Sequence, residues 1–106
     1  MNSMAESQSH RAAKIRAAGR DGAVEVPLPG GRRLDALTKH GRAIEVERNS
    51  TAQALKDAAR RLRAADARQH VLQVPQQNIP AAVAAMRAVG VHGTVKNMKG
   101  TKRRSV

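Results

Sequence analysis

The chain reads as a small α/β domain: a mixed β-sheet flanked by helices, in the order α-β-β-β-α-β-α-β. Three observations predict it. At 106 residues the chain has room for one domain. Short runs alternate apolar and polar residues, while longer Ala-rich and Leu-rich runs repeat at helical spacing. Gly and Pro fall between the runs, where the chain must turn.

Ser3-Met4-Ala5-Glu6 forms a capping-box pattern, and Met4, Ala12, Ile15 and Ala18 lie roughly on one face of a helix that stops at Gly19. Residues 23–28 alternate, with Val24, Val26 and Leu28 on one face and Glu25 on the other, until Pro29-Gly30-Gly31 ends the strand. Residues 32–38 and 42–48 form a hairpin around Lys39-His40-Gly41, whose glycine can take the left-handed position of a three-residue loop. Asn49-Ser50-Thr51-Ala52-Gln53 offers a second capping box. Leu55, Ala58, Ala59, Leu62 and Ala65 then mark a helix to about Arg68. Residues 71–74 form a short strand before Pro75, residues 80–89 a helix with Asn78 as cap and Gly90 as stop, and residues 94–97 a last extended piece. The domain is expected over residues 1–98, with 99–106 a flexible basic tail.

Twenty Lys and Arg stand against eight Asp and Glu, a net charge of +12 that favours a polyanionic partner through counterion release. The chain has no Phe, Tyr or Trp, so aromatic base-stacking platforms of the RRM kind are excluded and the core is aliphatic. It has no Cys either, which removes disulfides, thiolate zinc sites and cysteine nucleophiles. The four His lack metal-ligand spacing. No apolar run approaches the ~20 residues of a spanning helix, and MNSMAESQSH has no hydrophobic leader core, so the expectation is a cytoplasmic protein without a membrane partner.

Three acids, Asp35, Glu45 and Glu47, fall on the predicted hairpin. If residues 39–41 form the loop, Thr38 faces Arg42, which puts Asp35 opposite Glu45 and Arg33 opposite Glu47, all on one face. Leu34, Ala36, Ile44 and Val46 then share the other face, ready to pack beneath a helix. Opposed carboxylates repel, so a positive charge belongs between them. A hard divalent cation such as Mg²⁺ or Mn²⁺ meets this need; so does an ordinary ion cluster with Arg32, Arg33 or Arg48.

Arg33-Leu34-Asp35, a gap through a glycine turn, Ile44-Glu45-Val46-Glu47, and a helix opening with Ser-Thr-x-Gln together resemble the PD-(D/E)xK nuclease superfamily. The likeness is to small restriction-endonuclease-fold toxin domains and resolvase-like nucleases. It spans about residues 4–75, where the order of elements matches the superfamily's α-β-β-β-α-β core. Two departures stand out: Leu34 replaces the usual Pro, and Glu47 stands where the family usually has a Lys. The resemblance implies that Asp35 and Glu45 hold the metal and that Glu47 completes the ligand set or acts as base on the attacking water. Otherwise the cation is displaced, with Lys56 as candidate, or the fold is an inactivated one that only binds. Gln53 is either at the active-site rim, as the resemblance implies, or the third residue of a capping box bonding back to Ser50. Glu6 and Glu25 are peripheral acids or solvated surface charges.

Lys56, Arg60 and Arg63 lie on the helix face opposite Leu55 and Leu62, where Lys56 and Arg60 are candidate nucleic-acid contacts or part of an ordinary charged outer face, and Asp57 is spaced to pair with Arg61. No acid follows Asp66, whereas Lys96, Lys99, Lys102, Arg103 and Arg104 do, a run suited to gripping phosphate. The expected function is a metal-dependent endonuclease acting on DNA in preference to RNA, of toxin type if an acidic immunity-type protein accompanies it. The alternative is a non-catalytic nucleic-acid-binding protein with a degenerate nuclease fold, a plasmid or phage accessory factor or a ribosome-associated protein.

Overall fold

The computed structural model describes residues 6–106. Its elements are α1 (Gln8–Ala18), β1 (Ala23–Pro27), β2 (Arg33–Leu37), β3 (Arg42–Val46), α2 (Ala52–Ala64), β4 (Gln69–Val74), a 3₁₀ turn (Gln76–Asn78), α3 (Ile79–Val89), β5 (Thr94–Asn97) and β6 (Arg103–Ser105). The six strands form one mixed sheet in sequential order. Neighbours β1, β2 and β3 are antiparallel, β3, β4 and β5 run parallel through the crossover helices α2 and α3, and β6 returns antiparallel to β5. A mixed α/β sheet flanked by helices is therefore present, with one more strand than the sequence reading counted.

Two apolar layers hold the sheet. On one face Leu55, Leu62, Val83 and Met86 of α2 and α3 pack on Leu34, Ala43, Leu72, Val74 and Val95. On the other, Ala13 and Ala18 of α1 cover Ala36, Ile44, Val46 and Val71. Without aromatic rings, alanines at the helix–sheet contacts let the backbones approach closely, and the branched strand residues fill the space.

The helices start and stop by local chemistry. Thr51 caps α2 by accepting from the Ala54 N–H, and Gly90 ends α3 in the left-handed conformation. Ser7 caps α1, so the helix starts at Gln8; Ser3 of the expected capping box lies outside the described residues. The buried face of α1 also differs from the expected one. Ala13, Lys14 and Ala18 are buried, whereas Ile15 is 54% exposed.

The segment expected as a loose tail is built into the sheet. Asn97 explains why: its buried Oδ1 accepts the N–H groups of Thr101 and Lys102, fixing the turn, so that Arg103 can pair with Lys96 and Arg104 with Val95. The Val106 N–H then donates to the Gly93 carbonyl.

Between β1 and β2 the ladder carries Val24↔Ala36 and Val26↔Leu34 but skips the Glu25–Asp35 position, and Glu25 has a left-handed φ of 53°. The apolar faces change over at this kink. Ala36 packs under α1, whereas Leu34 and Val26 join the α2/α3 layer. Leu34 is therefore not on the same face as Ile44 and Val46, contrary to strict alternation, because the distorted backbone at Glu25 and Asp35 breaks the period of two.

Candidate active site

The hairpin register is the one the sequence predicts: Ala36 pairs with Ile44 and Leu37 with Ala43, and the Thr38 N–H donates to the Arg42 carbonyl. Asp35 thus faces Glu45. Their carboxylates do not splay apart; each is fixed by the backbone of the other strand. The Asp35 N–H donates to Glu45 Oε2 at 2.8 Å, and the Val46 N–H donates to Asp35 Oδ2 at 2.8 Å. Side-chain oxygens here replace the ladder bonds that the kink removes.

Glu45 has no solvent exposure, and Arg61 of α2 donates through Nε to its Oε1 at 2.6 Å. Burial, reinforced by the charge of Asp35, still pushes the Glu45 carboxyl up to about 7 against the pull of Arg61. Burial raises Asp35 as well, opposed by the Val46 N–H and by His10, Lys14 and Arg61. Buried Glu45 and half-buried Asp35 thus share Arg61, with Lys14 facing Asp35 from the other side.

Asp35 opens into a cavity of about 440 Å³, where Lys14 of α1 and Arg61 of α2 meet it from the two helical layers. Lys14 is 4% exposed; its Nζ donates to Glu25 Oε2 at 2.5 Å and is paired with Glu6. Burial alone would lower the amine, but the bonds to Glu25 and Glu6 outweigh it, and the charge of Asp35 adds to them, so Lys14 stays protonated. Glu6 and Glu25, open as solvated charges in the sequence reading, therefore both line the cavity and hold its lysine. His10, Arg32, Arg33 and Asp57 complete the wall.

Four expectations meet different surroundings. Glu47 lies just beyond β3, where its Oε2 accepts from the Asn49 N–H, and it does not line the cavity. Gln53 reaches neither the cavity nor Ser50; its Nε2 donates to Asp57, whose carboxyl is thereby held below its usual range together with Arg60. Arg61 is engaged by Glu45, leaving Arg60 as the partner of Asp57 at 2.9 Å. Lys56, on the same helix, is absent from the cavity lining.

Lys14 and Arg61 are the residues that sequence reasoning missed. A signal for Lys14 exists: Glu6, His10, Lys14 and Ala18 recur every fourth residue, a charged row that ends on a buried alanine. For Arg61 the i,i+4 match to Asp57 concealed the tertiary partner.

Among the described residues no group of three or more His, Cys, Asp or Glu is arranged to hold a metal ion. Mg²⁺ asks for less, since it keeps several waters and commonly takes one or two carboxylates plus phosphate oxygens. Asp35 lines the cavity, whereas Glu45 lies behind it with its two oxygens accepting from the Asp35 N–H and Arg61 Nε; these are the two carboxylates that would offer oxygen ligands to such an ion. Among the described residues no helix is long and apolar enough to cross a membrane. No family model matches the chain, and no curated protein or solved structure matches it.

Proposed function

We propose that the chain is a metal-dependent endonuclease of the PD-(D/E)xK kind, with DNA as its substrate and Asp35, Glu45 and Lys14 as its working groups. The observation that carries this reading is a cavity where half-buried Asp35 meets a protonated Lys14, with the buried Glu45 carboxylate fixed directly behind Asp35 by mutual backbone hydrogen bonds. A divalent ion held by Asp35 and Glu45 would supply a deprotonated water at neutral pH and charge stabilisation at the phosphate. Lys14, reaching the cavity from α1, stands in for the lysine that Glu47 displaces, and stabilises charge on the phosphate oxygens. Arg61 orients Glu45, and Glu25 and Glu6 orient Lys14.

A non-catalytic nucleic-acid-binding protein is the second reading, and one observation favours it: every buried side-chain polar atom among the described residues has a partner without an added ion. Nicking of supercoiled plasmid DNA in Mg²⁺ or Mn²⁺ separates the two. Cleavage by the parent, abolished by EDTA and by Asp35→Ala, is the expected result; a parent without metal-dependent cleavage leaves the binding reading in its place.

A further inference from the structure

Helix α1 lies over β1, β2 and β3 and reaches Val71 of β4, leaving the same face of β5 and β6 without a covering helix. Strand alternation fixes what that open half-face presents. Val95 packs in the α2/α3 layer and Asn97 is buried, so Thr94 and Lys96 turn to the open side; Ala43 packs in that layer, so Arg42 turns the same way. Arg103 lies directly across from Lys96 on β6. Two concavities meet at Lys96. One, of about 420 Å³, gathers Arg42, Arg68, Lys96 and Arg103; the other, of about 570 Å³, adds Arg16, Arg48 and Lys99.

No Asp or Glu lines either concavity. Arg42 donates to Gln69 and Arg103 to the Gly100 carbonyl, neutral acceptors that leave both charges uncompensated. Burial, with Arg42 and Arg103 close by, holds Lys96 below the ordinary lysine range. Such crowding costs the free protein stability, a cost that an anionic ligand offsets. The cavity around Asp35 sets four acids against four Lys and Arg, whereas the open half-face carries basic charges alone, so the two surfaces differ in kind.

We infer that this open half-face around β5 and β6 is a docking surface for a nucleic-acid backbone, with Arg42, Lys96 and Arg103 contacting successive phosphates. The two joined concavities suit a repeating polyanion better than a single phosphate. The absence of any aromatic residue means that grip rests on phosphates and not on stacked bases. The inference shares with the proposed function the premise of a nucleic-acid ligand, but it does not require cleavage.

The test is anisotropy of a labelled 20-base-pair duplex DNA titrated with full-length protein in EDTA over a range of salt. Lys96→Gln/Arg103→Gln should weaken binding at least about tenfold and reduce the log–log salt slope by about 2, at ~0.9 per lost contact. The same variant should melt no lower than the parent, because repulsion has been relieved. Lys56→Gln/Arg60→Gln should change affinity less than about twofold. Arg16→Gln/Arg42→Gln provides the same test should the first variant fail to fold. An unchanged slope in the open-face variants overturns the inference, as does an equal loss in the α2 control. Saturation by inorganic phosphate with no gain for the duplex would make it a small-anion site, and preference for poly-glutamate of matched charge would make it a site for an acidic protein; either result overturns it. Asp35→Asn in the same assay should bind no more weakly than the parent, because it removes a negative charge, so failure of the nuclease reading appears in the nicking assay alone.

Discussion

Asp35 and Glu45 orient one another: the Asp35 N–H holds Glu45 Oε2, and the Val46 N–H next to Glu45 holds Asp35 Oδ2, each at 2.8 Å. Neither carboxylate can turn without breaking a bond to the other strand. This arrangement sets a half-buried acid beside a buried one and fixes their direction, which is the kind of preorganisation that hydrolysis requires.

Stability should depend on pH through this pair. The Glu45 carboxyl moves from an ordinary 4.5 to about 7 on folding, so between those values the folded state binds a proton that the unfolded chain has released. Its stabilising contribution is complete below about 4.5 and is lost as pH rises through about 7, at no more than ~1.4 kcal/mol per pH unit. Asp35, also raised, acts in the same direction. Urea unfolding of the metal-free protein at intervals from pH 4.5 to 8 should show this decline relative to Glu45→Gln, which lacks the titrating carboxyl. Parallel curves would contradict it.

Arg61→Ala removes the guanidinium beside a carboxylate that is fully buried. The expected loss is about 3 kcal/mol at pH 8, where Glu45 is ionised, and markedly less at pH 5, where protonation relieves the unpaired charge. Equal losses at both pH values would mean that Arg61 contributes packing alone.

Glu47→Ala removes the acceptor for the Asn49 N–H and nothing from the cavity wall. It should cost roughly 0.5–1.5 kcal/mol of stability and leave nicking within about threefold of the parent. A hundredfold loss of nicking would return Glu47 to the role that the family resemblance implies for it.

Lys14→Met keeps an unbranched stem in a buried position while removing the charge. Nicking should fall by about 10²-fold or more, with the fold retained, as for loss of a charge-stabilising group. Since Glu6 and Glu25 are then left without their cation, the variant should also be less stable at neutral pH than in acid. Parent-like nicking would exclude Lys14 from the chemistry.

The hairpin register was legible because loop length and turn chemistry set it locally: residues 39–41 and the left-handed Gly41 lead directly to Asp35 facing Glu45. The α2 stripe was legible for the same reason, each apolar position being fixed by the helical period. What escaped depended on distant pairing. Lys14 is 4% exposed because Glu25 lies 11 residues away and Glu6 one helical stretch before it, and nothing local marks a lysine as buried. The kink at Glu25 defeats strict alternation and moves Leu34 to the other layer. β6 escaped because its order comes from the buried Asn97 at the turn, while its own residues Arg103–Ser105 are all exposed.

The most direct test is calorimetric titration of the metal-free protein with Mn²⁺ at pH 7.5, in parallel with Asp35→Asn. Asp35→Asn preserves a side-chain acceptor for the Val46 N–H while deleting the charge, so the strands should stay together. Saturable binding by the parent and its loss in the variant are expected, with circular dichroism unchanged. Absence of binding by the parent, or equal binding by both proteins, would contradict the assignment of Asp35 and Glu45 to a divalent ion.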